Sequence, residues 1–131
     1  MSARSYLVKL FAGMLIGAAL APVLPAAGAR LPLVRFRVVD SSMLPAYQPG
    51  DRVLVWRLAY ARRAPRAGDV VVLRDPEGAV PFLLKRVAAP ADGSRGSGVY
   101  VLGDNPSASR DSRAFGVVAR GGVIGRVVLK Y

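Results

Sequence analysis

From residue 33 onward, apolar positions gather in six short runs: LVRFRVVD, DRVLVWRLAY, GDVVVLRDP, AVPFLLKRVAA, GVYVLGDN and GGVIGRVVLKY. They are rich in Val, Leu and aromatics, side chains that suit a pleated, half-buried surface. Polar, turn-forming stretches cut them apart, among them Asp75-Pro76-Glu77-Gly78 and the Ser-Gly-rich Gly93 to Gly98, which reads as a hairpin tip. Several short strands at this spacing predict an all-β domain, a small barrel or folded antiparallel sheet. Between the second and third runs, WRLAYARRAPRAGD leaves room for a short helical turn before Pro65.

The pattern before residue 30 is different. From Leu10 to Ala29 no residue carries a charge. At about 1.5 Å per residue, a helix of this length just crosses a hydrocarbon core of ~30 Å. Pro22 and Pro25 would kink or stop it near its far end. Arg4 and Lys9 ahead of the run, and Ala27-Gly28-Ala29 after it, also fit a cleavable signal peptide. The preferred reading is a retained N-terminal anchor over 1–29, followed by a β-rich domain over 30–131. Arg30, Arg35 and Arg37 follow the run, so basic residues flank both sides and charge alone does not orient it. Either way, the β-domain works at or beyond a membrane.

Composition narrows the chemistry. The chain has no cysteine, which removes disulfides, thiolate nucleophiles and cysteine-based metal sites. It has no histidine, which removes the Ser-His-Asp mechanism and the usual zinc sites. No metal or cofactor is therefore expected, and any hydrolytic base must be Lys, a carboxylate or Tyr. The net charge of +11 favours an anionic partner. The arginines are scattered apart from Arg57, Arg62, Arg63 and Arg66, and the ten aromatics do not cluster. Membrane lipid is the expected anionic partner, and nucleic acid is not.

Against sixteen arginines there are only three lysines: Lys9, Lys85 and Lys130. Lys85 sits inside an apolar run, where a cation is costly unless paired or neutralised. An arginine stays protonated, whereas a buried lysine can become a neutral base. The bland reading is a lysine at a strand edge with a packed stem and a wet amine. Ser41 and Ser42, in SSMLP, change the balance, because a serine and a desolvated lysine are the parts of a dyad. A third stretch, VLGDNPSASRDSRAFG over residues 101–116, brings Asp104, Asn105, Asp111 and Arg113 together with three serines. Alone it would be a polar turn; beside a buried amine it supplies acceptors.

These pieces, in this order, resemble the type I signal peptidase family of membrane-bound serine proteases, and they cover residues 38–126. The resemblance implies the folded antiparallel sheet of that family behind one transmembrane helix. It makes Ser42, directly before Met43, the nucleophile and Lys85 the general base. Ser109 matches the serine that holds the lysine in place. Asp111 and Arg113 match a structural ion pair, Asp104 and Asn105 open that loop, and Met43 and Pro45 complete the nucleophile box. The Ser42 amide would be one oxyanion donor. Where some members carry a second donor serine, this chain has Asp40, a carboxylate that would repel an oxyanion. Ala46 replaces the threonine that usually follows the motif's proline, and the large accessory insertion of some bacterial members is missing.

The implied substrates are precursor proteins with N-terminal leader peptides, cut after small residues on the extracytoplasmic face of a bacterial cytoplasmic membrane. Gly-Asp-Asn-Pro and the Phe115-Gly116 ending also resemble the maturation protease for nickel-type superoxide dismutase, the alternative within the same chemistry. A non-enzymatic, membrane-tethered β-domain is the rival of another class; it would keep Ser42 and Lys85 apart.

Overall fold

The computed structural model describes residues 8–10, 32–93 and 96–131. Eight strands form one sheet: β1 (Val8–Leu10), β2 (Leu33–Val38), β3 (Arg52–Trp56), β4 (Val70–Arg74), β5 (Phe82–Gly93), β6 (Gly96–Leu102), β7 (Val118–Ala119) and β8 (Val123–Lys130). The order across the sheet is β1-β2-β3-β8-β4-β5-β6-β7, and every neighbouring pair is antiparallel. The six apolar runs are β2, β3, β4, β5, β6 and β8, so the all-β expectation holds. The C-terminal strand β8 slots between β3 and β4, joining the first half of the chain to the second.

Register shifts bend the sheet where it must curl. They fall between Leu54 and Val55 opposite β8, between Val72 and Leu73 opposite β8, and between Val87 and Ala89 opposite β6. An extra residue on one strand raises the local twist and turns the strand. The curled sheet encloses apolar side chains on both faces of β4. Val70 and Val72 join Phe36, Val38, Met43, Val53, Val55 and Leu84 in one cluster. Val71 and Leu73 join Leu83, Val87, Val99, Val101 and Val118 in the other. Phe36 and Phe82 meet edge-to-face at 5.5 Å in the first, an arrangement the ring quadrupoles favour.

The stretch between β3 and β4 holds a hydrogen-bonded turn before Pro65, with Ala61 N–H on the Leu58 carbonyl at 3.1 Å, and no helix. The one α-helix among the described residues is a single turn, α1 (Ser112–Phe115). No helix among the described residues is long and apolar enough to cross a membrane. The anchor expected over 1–29 lies outside the described residues except for Val8–Leu10. Those three pair with β2 as the edge strand, Val8 opposite Val38 and Leu10 opposite Phe36.

Candidate active site

Lys85 occupies the middle of β5, opposite Val71 of β4. Side chains alternate along a strand, so Lys85 shares its face with Leu83 and Val87, both in the apolar interior. The residue is fully buried. Its amine donates a hydrogen bond to the Ser42 Oγ at 3.1 Å. Burial lowers the Lys85 pKa to about 8; the charges of Asp40 and Asp111 pull it back up, and that of Arg110 pushes it further down. An ammonium offers three donors, and among the described residues only Ser42 accepts one of them, so burial here brings release of the proton down towards neutral pH.

The nucleophile turn follows β2. Leu44 N–H reaches back to the Ser41 carbonyl at 3.2 Å and Tyr47 N–H to the Met43 carbonyl at 2.9 Å, closing the turn on itself. Met43 is fully buried among the first cluster and pins the turn to the core. The Leu44–Pro45 peptide bond is cis. Asn105 then clamps the turn from outside: its backbone N–H meets the Ser42 carbonyl at 2.9 Å and its side-chain amide the Ser41 carbonyl at 3.0 Å. Residues 64 positions apart thereby hold the two serines in place.

The loop after β6 is organised on Asp111, whose side chain is fully buried. Its carboxylate accepts the Gly103 N–H at 2.9 Å, the Ser109 hydroxyl at 2.8 Å and the Arg113 guanidinium at 2.9 Å through both Nε and Nη2. Burial alone would raise its pKa, but Arg113 and the hydrogen bonds from Gly103 and Ser109 outweigh that and hold it at about 2. Asp111 also caps α1 by accepting the Arg113 N–H. Gly103 is needed for close approach: a methyl group there would overlap the Ser109 side chain and lie 2.8 Å from the Ser42 carbonyl oxygen.

The site residues expected from the sequence lie on the nucleophile turn, on β5 and in the loop after β6, though not always with the expected partners. Ser109, expected to hold the lysine, gives its hydroxyl to Asp111, and among the described residues the Lys85 amine bonds to Ser42 alone. Asp111 and Arg113 do form an ion pair. Asp104 pairs with Arg86, the residue after the lysine, at 2.9 and 2.8 Å. That bond ties the loop to β5 next to Lys85. Asp40 turns inward: its Oδ1 accepts the Ser42 N–H at 3.0 Å.

A further ion pair near Lys85 was not anticipated. Arg110 bridges Asp75 and Glu77, with 2.9 Å contacts to each. Asp75 also caps its own turn by accepting the Glu77 and Val80 N–H groups. The Asp-Pro-Glu-Gly turn was legible, but nothing in its spacing tied it to an arginine 35 residues on.

A family model described as signal peptidase, peptidase S26, matches residues 9–93 and 95–131. The chain belongs to that family. Among curated relatives, the "Mitochondrial ATP-independent inner membrane protease subunit 1b" of Arabidopsis thaliana is 34% identical over 106 residues, covering 66% of this chain and 63% of the relative. The "Probable signal peptidase I-1" of Synechocystis is 25% identical over 145 residues, covering 76% of this chain and 74% of the relative. The "Signal peptidase I" of Leptolyngbya laminosa is 25% identical over 150 residues, covering 83% and 74%. This family member thus spans 63 to 74% of the length of these relatives.

Proposed function

We propose that this signal peptidase family member is a membrane-anchored serine endopeptidase that removes N-terminal leader peptides from exported precursors, with Ser42 as nucleophile and Lys85 as general base. The observation that carries the reading is the buried Lys85 amine 3.1 Å from the Ser42 oxygen. The neutral amine takes the hydroxyl proton as Ser42 Oγ attacks the scissile carbonyl. The resulting ammonium gives that proton to the leaving amine, and an acyl-enzyme remains on Ser42. Lys85, neutral again, then deprotonates the water that hydrolyses the ester.

Asp111, Ser109 and Asn105 act as positioning residues: they hold the loop and the nucleophile turn against β5. The names of the relatives support the substrate class, and the uncharged run from Leu10 to Ala29 supports a single anchor; a β-domain on the extracytoplasmic side belongs to the same reading. Cleavage after a small residue such as alanine belongs to the same reading.

The test is cleavage of a leader-bearing precursor by the full chain in detergent micelles. Ser42→Ala and Lys85→Ala are each expected to abolish processing, while Ser41→Ala retains substantial activity. Lys85→Arg is expected to be as inactive as alanine, because a guanidinium cannot accept the proton. Processing by Lys85→Arg near the wild-type rate would overturn the base assignment.

A further inference from the structure

Asp40 lies two residues before Ser42, just past the end of β2. Its Oδ1 holds the Ser42 N–H at 3.0 Å. Its Oδ2 is buried and has no hydrogen-bond partner among the described residues. A local turn cap accounts for the first oxygen. It does not account for the second, because a buried carboxylate oxygen without a donor is costly. Burial accordingly raises the Asp40 pKa, against the lowering effects of the Ser42 hydrogen bonds and of Lys85, the charged group that faces it from β5.

The Ser42 N–H is the group that should meet the developing oxyanion. While it serves a carboxylate it cannot serve that oxygen at full strength. The carboxylate also places negative charge where the reaction would create more. Ser42 itself is only 2% exposed, so the turn is closed as it stands.

We propose that Asp40 is a brake built into the nucleophile turn: its carboxylate occupies the oxyanion position in the resting protein, and a peptide bond engages Ser42 only after Asp40 has left the Ser42 N–H. The inference rests on the Ser42–Lys85 reading above. Releasing the brake makes and breaks no covalent bond; it exchanges one acceptor on the amide for another. The same cap gives the chain a reason to carry an acidic residue where a hydroxyl would serve catalysis directly: cleavage is slowed until a well-fitting substrate displaces the carboxylate.

The experiment compares wild type with Asp40→Ala and Asp40→Asn, as full chains in detergent micelles on a leader-bearing peptide. A peptide aldehyde ending in alanine is titrated in parallel, since its adduct with Ser42 sets an oxyanion on the same N–H. Both variants are expected to raise kcat at least about tenfold, Asp40→Ala the more, with KM changed less than about twofold. The aldehyde is expected to bind tighter by a factor similar to the gain in kcat. A fall or no change in kcat, or unchanged aldehyde affinity, would make Asp40 a turn cap and overturn the brake. A gain confined to Asp40→Asn would overturn it too, because a new amide donor, not a vacated site, would then be the cause. Ser42→Ala separates the two readings. If it still cleaves, the dyad fails; if it is inactive while the Asp40 variants are no faster, only the brake fails.

Discussion

Replacing Lys85 with methionine should make the protein more stable while abolishing its proposed activity. The Lys85 pKa falls from 10.5 to about 8 on folding. At ~1.4 kcal/mol per unit, keeping the charged form buried costs about 3 kcal/mol near pH 7. That offsets roughly what one fully buried Leu contributes. Methionine has a similar length and no charge, so it recovers this cost but gives up the hydrogen bond to Ser42, worth about 1 kcal/mol. The net expectation is about 2 kcal/mol of stabilisation at pH 7, or a Tm higher by roughly 8–15 °C for a domain of this size.

The sign of the pH dependence is a stricter check. Lys85 has a depressed pKa in the folded state, so unfolding takes up a proton between about pH 8 and 10.5. Wild-type stability should therefore rise through that window relative to Lys85→Met. By pH 9.5 the cost of the buried charge falls to about 1 kcal/mol, and the advantage of the variant should nearly vanish. Thermal melts of both proteins in the same micelles at pH 7 and 9.5 decide it. A Lys85→Met protein less stable than wild type at pH 7, or an advantage independent of pH, would refute the account of Lys85 as a destabilising buried amine.

Three further outcomes are expected. With Lys85 near 8, kcat/KM should climb about tenfold per pH unit up to that pH and then level off, read from initial rates between pH 6 and 9; a flat profile would remove the neutral amine from the mechanism. Gly103→Ala should cost about 1–3 kcal/mol and cut the cleavage rate at least about tenfold, because the new methyl must push aside Ser109 or the Ser42 carbonyl; urea unfolding and rates measured together would show it. Asp111→Asn should destabilise by roughly 1–3 kcal/mol, since the buried Gly103 N–H and the Ser109 hydroxyl lose a charged acceptor. The wild-type contribution of Asp111, whose pKa is depressed, should be complete above about pH 4 and lost as pH falls through about 2, whereas the variant should lack that acid limb.

The strands were legible in the linear chain, and so was the oddity of Lys85; the choice of Ser42 as its partner came from the family resemblance. Strands announce themselves through local composition and turn residues. The rarity of lysine marked Lys85, because a cation inside an apolar run requires a reason that position alone does not supply. Partners were a different matter. Ser109 turned to Asp111 through the local fold of one loop, whereas Asp104 met Arg86 and Arg110 met Asp75 because the curl of the whole sheet brings distant segments within 3 Å.

Asp40 shows the division most clearly. From the sequence alone it was a carboxylate placed where it would repel an oxyanion. Only the folded turn brings its carboxylate onto the Ser42 amide, since two residues of backbone can fold a side chain back or send it outward with equal covalent ease. Residue type limited the chemistry available to this protein. Closure of β8 between β3 and β4, and the loop clamped by Asn105 and Asp111, decided which groups meet, because hydrogen bonds and buried charges respond to separations that composition does not encode.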